Sequence, residues 1–147
     1  MATIDGVQQV KIKDLQPYKN NAKVHDKTQV QKIADSIKEF GFLNPILIDK
    51  DFNIIAGHGR TEAAKLLGMK ELPAVYVEGL TDTQRRAYIL ADNRLTELGG
   101  WDEYLVQQEL EALKNEGFDI ELTGFELNLE DDAQTIAEKG SFRFWNR

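Results

Sequence analysis

The sequence contains no cysteine and only two histidines, His25 and His58, among its 147 residues. Disulfide scaffolds, thiolate zinc sites and cysteine nucleophiles are therefore excluded, and a two-histidine metal site is not expected. No apolar run approaches the roughly 18 residues that span a bilayer. Residues 1–5 lack the basic-then-apolar order of a signal peptide. We therefore expect a cytoplasmic protein without a membrane segment.

The net charge of −7 is distributed unevenly along the chain. Residues 1–101 carry 13 acidic and 14 basic side chains, whereas residues 102–138 carry 12 acidic side chains and one lysine. Because phosphate backbones would repel this acidic segment, we expect any nucleotide or DNA chemistry in the first hundred residues. We accordingly predict a domain over residues 1–98, followed by an acidic helical extension with an aromatic tail over residues 99–147.

The apolar pattern changes repeatedly between the periods of strands and helices. The predicted strands are Val7–Ile12, Pro45–Ile48, Asn53–Ala56 and Ala74–Val77. Helices are predicted near residues 26–40, 60–67, 81–98 and 102–116, with Asp26, Thr81 and Asp102 as caps and with a loose acidic helix over residues 130–138. This order predicts an α+β fold in which a small mixed sheet packs with helices.

A glycine-rich motif, Gly57-His58-Gly59-Arg60, separates a predicted buried strand from a predicted helix. Backbone N–H groups at the start of a helix favour anions, and Arg60 offers a planar fork to phosphate oxygens. The motif therefore predicts a phosphate site. A tight turn with an exposed arginine is the alternative, because short glycine motifs often match by accident.

A second polar group, Asp92-Asn93-Arg94, lies on a predicted helix. Asp92 could orient a water molecule, Asn93 could supply an oxygen to magnesium, and Arg94 could contact phosphate. An ordinary solvated helix face is the alternative. The apolar face of this helix is predicted to comprise Ala87, Leu90, Ala91, Leu95 and Leu98. A third polar segment, residues 19–25, could close over a ligand, although by itself it is only a loop.

The order and spacing of these motifs resemble the ParB/sulfiredoxin-like N-terminal domain over about residues 7–98. The resemblance is carried by residues 33–41, Asn44-Pro45-Ile46, residues 55–60 and residues 63–68. It implies that a nucleoside triphosphate, CTP or ATP, binds with Mg²⁺. The implied nucleotide-binding residues are Asn44, Pro45, Gly57, His58, Gly59, Arg60, Thr61 and Arg94. The resemblance further implies that Asp92 assists hydrolysis and that Asn93 helps to hold the metal.

The chain departs from this family in two places. Partition proteins usually carry Gly-Glu-Arg-Arg where this chain has Gly57-His58-Gly59-Arg60, so a preference for cytidine does not follow. Sulfiredoxin has a catalytic cysteine in this loop, and the absence of cysteine excludes sulfinic-acid reduction. No helix-turn-helix unit follows the domain. Residues 91–102 and 117–125 instead resemble a segment of phage and mobile-element proteins that often precedes a DNA methyltransferase.

Three functions are compatible with these features. The leading hypothesis is a nucleotide-binding module, with weak Mg²⁺-dependent triphosphatase activity, that acts in DNA modification, maintenance or segregation. Its expected partners are the nucleotide, DNA bound through residues 1–98, a DNA methyltransferase, and a second copy after ligand binding. The alternative is a non-catalytic interaction module that docks a basic partner through the acidic segment and Phe142, Phe144 and Trp145. A DNase is less favoured, because only Asp92, with Glu62 or Glu97, supplies carboxylates near the proposed pocket.

Overall fold

The computed structural model describes residues 1–19 and 25–128 of the chain. The chain forms two compact units, Met1–Leu98 and Gly99–Arg147. The expected acidic helix over residues 130–138, the aromatic tail and most of the polar loop over residues 19–25 lie outside the described residues.

The first unit is an α+β structure with a mixed sheet. Its described strands are β1 (Thr3–Lys11), β2 (Ile46–Ile48), β3 (Ile54–Ala56) and β4 (Glu71–Glu78), and its described helices are α1 (Lys27–Phe40), α2 (His58–Leu66) and α3 (Asp82–Glu97). The strand order in the sheet is β1-β4-β2-β3. β4 pairs antiparallel with β1 and parallel with β2, and β2 pairs antiparallel with β3. The predicted fold class is confirmed.

Two strands are longer than their apolar patterns predicted. β1 begins at Thr3, and its first residues are exposed on the edge of the sheet. Because neither face of this part is buried, it need not alternate apolar and polar residues. It ends at Lys11, because Ile12 opens a short 3₁₀ turn. β4 begins at Glu71 and includes Pro73, a residue that counts against a strand because it lacks an N–H donor. The predicted ends of both strands were therefore wrong.

The core lies between the sheet and the helices that cover it. Its largest fully buried apolar side chains are Ile46, Ile48, Ile54 and Leu72. α1 and α2 pack against each other, and their buried residues Ala34, Ala63 and Ala64 have no exposed surface. Because alanine is short, these helices can approach closely, which brings the start of α2 next to α1.

The helix caps follow from local sequence. The side chain of Asp26 accepts a hydrogen bond from the Gln29 amide, and Thr81 and Gln84 form a reciprocal capping box at the start of α3. At the start of α1, the Gln29 side chain instead contacts His25, with its Oε1 2.9 Å from Nδ1. No helix among the described residues is long and apolar enough to cross a membrane.

The second unit is built around α4 (Glu103–Asn115), which Asp102 caps. Leu110 is its buried apolar residue. The rings of Trp101 and Phe125 meet edge to face at a centroid distance of 4.8 Å. The amide of Gln107 bonds the backbone of residues 126 and 128 at 3.1 and 2.8 Å, so the chain after a 3₁₀ turn (Ile120–Thr123) lies along this helix.

Candidate functional site

The turn between β3 and α2 is determined by one glycine. Because β2 and β3 are antiparallel, the end of β3 lies beside the start of β2. Gly57 follows β3 and has a left-handed φ of +108°. A Cβ atom at this position would lie only 2.4 Å from Ile46 Cγ2. Both the backbone conformation and the close approach to β2 therefore require glycine.

α2 begins at His58, two residues earlier than predicted. His58, Gly59 and Arg60 form its first turn, and the Thr61 amide donates to the Gly57 carbonyl at 2.9 Å. The prediction began the helix near residue 60 because it treated the glycine-rich motif as a turn between the strand and the helix. The first amides of a helix have no intrahelical acceptor and lie at its positive end. This first turn therefore provides the type of backbone group that binds anions.

Arg60 is partly buried beside this first turn. Its Nη2 donates to the Pro45 carbonyl oxygen at 3.1 Å. Its Nε atom is buried and has no hydrogen-bond partner among the described residues. Burial lowers the pKa of Arg60, and the charge of Asp92 acts in the opposite direction. A guanidinium group remains charged in proteins, and the described hydrogen bond of Arg60 goes to a neutral carbonyl, so its positive charge could engage an anionic ligand.

The second residue of the motif, His58, contacts the segment before α1. The Tyr18 backbone N–H donates to His58 Nε2 at 3.2 Å, so this nitrogen is unprotonated while the bond is present. Burial lowers the pKa of His58, the charge of His25 lowers it further, and Glu62 opposes these effects. His58 is therefore neutral at pH 7 and serves as an acceptor for the backbone.

Asp92 and Asn93 project from α3 toward the same location. α3 packs against β3, and its buried apolar residue is Ile89. The predicted apolar face was wrong, because Leu90, Leu95 and Leu98 are each at least 60% exposed. The helix instead turns Asp92 and Asn93 inward, since the sheet contacts the side that carries Ile89.

These polar groups line one small cavity of about 120 Å³. Its lining residues are His25, Ile33, Ile55, Ala56, Gly57, His58, Gly59, Arg60, Asp92 and Asn93. The Asn93 amide nitrogen donates to the Ile89 carbonyl at 2.8 Å, and the Tyr88 hydroxyl lies 3.4 Å from Asp92 Oδ1. Burial raises the pKa of Tyr88, and Asp92 raises it further through its charge and this contact.

Four residues with predicted binding roles are not among those that line this cavity. The buried Thr61 hydroxyl donates to the Gly57 carbonyl at 2.9 Å, so it supports the turn. Pro45 contributes its carbonyl to Arg60, and Asn44 is exposed. Arg94 has a side chain that is 68% exposed and lies 3.4 Å from Glu97. Ligand contacts by these residues stay predictions.

The sequence did not identify His25 as a site residue. The predicted polar loop ends at His25, but no periodicity or motif relates that position to Gly59, 34 residues later. In the folded chain, a Cβ atom on Gly59 would lie 2.9 Å from His25 Nδ1. Only the packing of α1 on α2 brings these two residues together.

Another partly buried arginine lies in a separate groove of about 460 Å³. Arg85 contacts the carboxylates of Asp49 and Asp82, each at 2.8 Å. Burial raises the pKa of Asp49, but hydrogen bonds from Asn53, Arg85 and the Asp51 amide outweigh that effect and lower it. This arginine is therefore engaged in a structural ion-pair network.

Comparison with known proteins agrees with this architecture. The sequence profile of the ParB N-terminal domain matches residues 2–94, which include the whole cavity. The chain belongs to the ParB N-terminal domain family.

Individual ParB relatives differ in how much of their length the chain covers. It is 47% identical over 75 residues to the ParB-like nuclease domain-containing protein YnaK of Escherichia coli K12, which is 51% of this chain and 86% of that protein. It is 37% identical over 70 residues to a ParB chromosome-partitioning protein of Rickettsia typhi, which is 47% of this chain and 24% of that protein.

A solved ParB structure has the same fold. The C-terminally truncated partitioning protein ParB of Caulobacter crescentus, complexed with CTP-γ-S, aligns with a TM-score of 0.66 and 20% identity. The alignment covers 92% of this chain and 71% of that one. At this identity, the likeness establishes the ParB N-domain fold alone.

Proposed function

We propose that this chain is a ParB-like nucleotide-binding module that holds the phosphates of a nucleoside triphosphate in the cavity at the start of α2. CTP is the first candidate, because a Caulobacter ParB of the same fold is described in complex with CTP-γ-S. The observation that carries the proposal is Arg60, which lies in the first turn of a helix and whose described hydrogen bond goes to the neutral Pro45 carbonyl and not to a carboxylate.

The size of the cavity supports phosphate binding within it. Sites that enclose drug-sized ligands measure about 300–1,000 Å³, whereas this one measures about 120 Å³. It can therefore accommodate phosphate groups but not a complete nucleotide. The nucleoside would lie outside it, so the residues that contact the base are not those that line the cavity.

A magnesium ion would depend on the nucleotide for much of its coordination. No group of three histidine or acidic side chains in the described segments could hold a metal by itself. Mg²⁺ commonly binds one or two protein oxygens together with substrate phosphates. The Asn93 hydrogen bond to Ile89 uses the amide nitrogen, not Oδ1, and that oxygen is the proposed protein ligand.

Asp92 is the proposed hydrolytic residue. It lines the cavity together with Arg60, and the Tyr88 hydroxyl is near its carboxylate. A carboxylate in this position could orient a water molecule toward a phosphate. The expected activity is a slow Mg²⁺-dependent release of phosphate. Asp92→Asn should reduce this rate while nucleotide binding persists.

Calorimetric titration with CTP, ATP and GTP, each with and without Mg²⁺, tests the proposal. Wild-type protein should bind at least one nucleotide, and Arg60→Ala should lose about 100-fold in affinity, as expected when a buried cation no longer meets phosphate. Arg86→Ala is the matched control, because that side chain is 59% exposed and does not line the cavity. Equal binding by wild type and Arg60→Ala would refute the phosphate site.

The proposed biological context is DNA maintenance, segregation or modification. A Caulobacter ParB of this fold is described in complex with the centromeric parS site. Residues 1–101 carry a near-neutral charge, so they do not repel DNA as the acidic segment would. Direct binding of DNA by this unit and association with a DNA methyltransferase are parts of the proposal. Titration of labelled duplex DNA, with and without CTP, tests the first part.

The second candidate function is a non-catalytic interaction module. The exposed leucines of α3, Leu90, Leu95 and Leu98, favour it, because grouped apolar side chains on a surface commonly mark protein contacts. The proposed occupant is a second copy of this chain. Sedimentation analysis should detect a dimer that forms without nucleotide and that Leu95→Glu abolishes. Dimerisation without any nucleotide binding would favour this function over the first.

A further inference from the structure

The first turn of α2 contains a glycine that its backbone does not require. Gly59 is not among the residues with positive φ, so alanine could adopt its conformation. Within a helix, glycine is less favourable than alanine by about 1 kcal/mol. The benefit of glycine at this position must therefore be space.

That space is occupied by His25. A Cβ atom on Gly59 would lie 2.9 Å from His25 Nδ1 and 3.0 Å from its Cε1, with Ile33 Cδ1 at 3.2 Å. The imidazole thus lies against the backbone of the first turn of α2. Any side chain at position 59 would push it away or force the two helices apart.

The orientation of this imidazole is constrained from its own side. His25 Nδ1 lies 2.9 Å from Gln29 Oε1, one helical turn later. An amide oxygen only accepts hydrogen bonds, so Nδ1 carries the proton in this pair. To donate to an anion as well, the ring must also carry a proton on Nε2.

We propose that His25 is a second anion-binding side chain of the phosphate site, admitted by the absence of a side chain at Gly59 and oriented by Gln29. The inference rests on the proposed nucleotide function and adds to that site a ligand-binding residue. The ligand class is the polyphosphate group of a nucleotide. Its phosphates would meet two side chains, the guanidinium group of Arg60 and the imidazole of His25.

The surroundings of His25 are consistent with this role. α1 contributes Gln29 and Ile33, α2 contributes His58 and Arg60, and α3 contributes Asp92. His58 accepts the Tyr18 N–H through Nε2, so it remains neutral while that bond persists. Arg60 and Asp92 carry opposite charges, so their effects on the imidazole oppose each other. A bound phosphate would add a negative charge, and a nearby anion favours the protonated imidazole.

A double-mutant cycle with CTP as the probe tests the proposal at pH 7. His25→Ala and Gly59→Ala should each weaken CTP binding about tenfold, since one removes the imidazole and the other displaces it. The double variant should be no weaker than His25→Ala, because both changes remove the same contact. Lys32→Ala is the matched control: it removes an exposed cation from α1 and should leave affinity unchanged.

Imidazole nitrogen spectra provide a direct measurement on folded wild-type protein. The chain has two histidines, so His25→Gln and His58→Gln assign both signals. Addition of CTP should convert His25 to the imidazolium pattern, while His58 keeps one protonated nitrogen. An unchanged His25 spectrum at saturating CTP would overturn the proposal.

The outcomes separate this inference from the function on which it rests. CTP binding that is lost in Arg60→Ala but retained in His25→Ala would leave the phosphate site intact and refute the role of His25. Independent, additive losses in the double variant would also refute it. An absence of binding to CTP, ATP and GTP alike in the wild type would refute both.

Discussion

The two partly buried arginines of the first unit differ in their partners. Arg85 Nη1 and Nη2 contact the carboxylates of Asp49 and Asp82 at 2.8 Å. Arg60 donates to one neutral carbonyl, and the described residues include no carboxylate within ion-pair distance of it. Each has a buried Nε without a hydrogen-bond partner in the described part of the chain. Burial therefore does not distinguish the two arginines. They differ in whether neighbouring carboxylates neutralise the positive charge.

This difference separates a structural cation from a binding cation. The charge of Arg85 is already compensated, and Asp49 in turn accepts hydrogen bonds from Asn53 and Asp51. The charge of Arg60 is compensated only at a distance by Asp92, on another helix. A bound phosphate would neutralise the charge of Arg60, whereas at Arg85 it would have to compete with two carboxylates that already do so. The following predictions test this contrast.

The largest expected effect is on the turn that positions Arg60. Gly57→Ala should lower the free energy of unfolding by at least about 3 kcal/mol, because the new Cβ meets Ile46 at a backbone conformation that alanine disfavours. Gly68→Ala is the matched control, since Gly68 also has positive φ but no atom within 4 Å of an added Cβ. Urea unfolding measures both. Similar losses of unfolding free energy in the two variants would mean that backbone strain, and not the close approach of Gly57 to β2, makes glycine necessary in this turn.

The next effect distinguishes the arginines by ligand stabilisation. CTP should raise the melting temperature of wild type and Arg85→Ala much more than that of Arg60→Ala, because ligand binding stabilises a protein in proportion to how far its site is saturated. At 100 times the wild-type Kd, wild type gains about 2.7 kcal/mol, whereas a variant that binds about 100-fold more weakly gains about 0.4 kcal/mol. A scanning fluorimetry series with CTP measures the shift. Loss of the shift in Arg85→Ala alone would reverse the assignment of the two arginines.

The converse effect is on stability without ligand. Arg85→Ala should destabilise the protein by about 2 kcal/mol, because the Asp49 carboxylate is only 18% exposed and loses its cation. Arg60→Ala should cost less, since its partner is a neutral carbonyl that water can also satisfy. Urea unfolding without nucleotide compares the two. A greater loss in Arg60→Ala would indicate a structural role for that residue.

The smallest effect concerns His58, which lines the cavity but accepts a backbone hydrogen bond. Its pKa is lowered in the folded protein from the ordinary value near 6.5, so its contribution to stability is present above that pH and is lost as pH falls through the folded pKa. His58→Gln keeps an acceptor for the Tyr18 amide but does not titrate. Between pH 7.5 and 5.5, wild type should lose more stability than the variant, by less than about 1 kcal/mol after solvent screening. Parallel stability curves would contradict this prediction.

Local patterns predicted much of the fold but placed one helix face incorrectly. Asp26, Thr81 and Asp102 cap their helices as expected, because capping depends on residues three positions apart. The face of α3 was wrong, since Leu90 and Leu95 are exposed whereas Ile89 is buried. Several apolar positions along α3 satisfied helical spacing, but only the packing of α3 on β3 determined which side faces the sheet.

The sequence alone excluded cysteine chemistry, assigned the α+β class and marked Gly57 and Arg60 as a glycine-rich turn with a cation at a helix start. These properties depend on residue chemistry and on short-range backbone geometry, so they can be read along the chain. Tertiary structure decided that Arg60 has no carboxylate partner among the described residues while Arg85 has two, and that His25 lies against Gly59. Apart from the Arg85–Asp82 pair within α3, these contacts join residues 15 to 36 positions apart. Their distances depend on strand pairing and helix packing, which local periodicity does not encode.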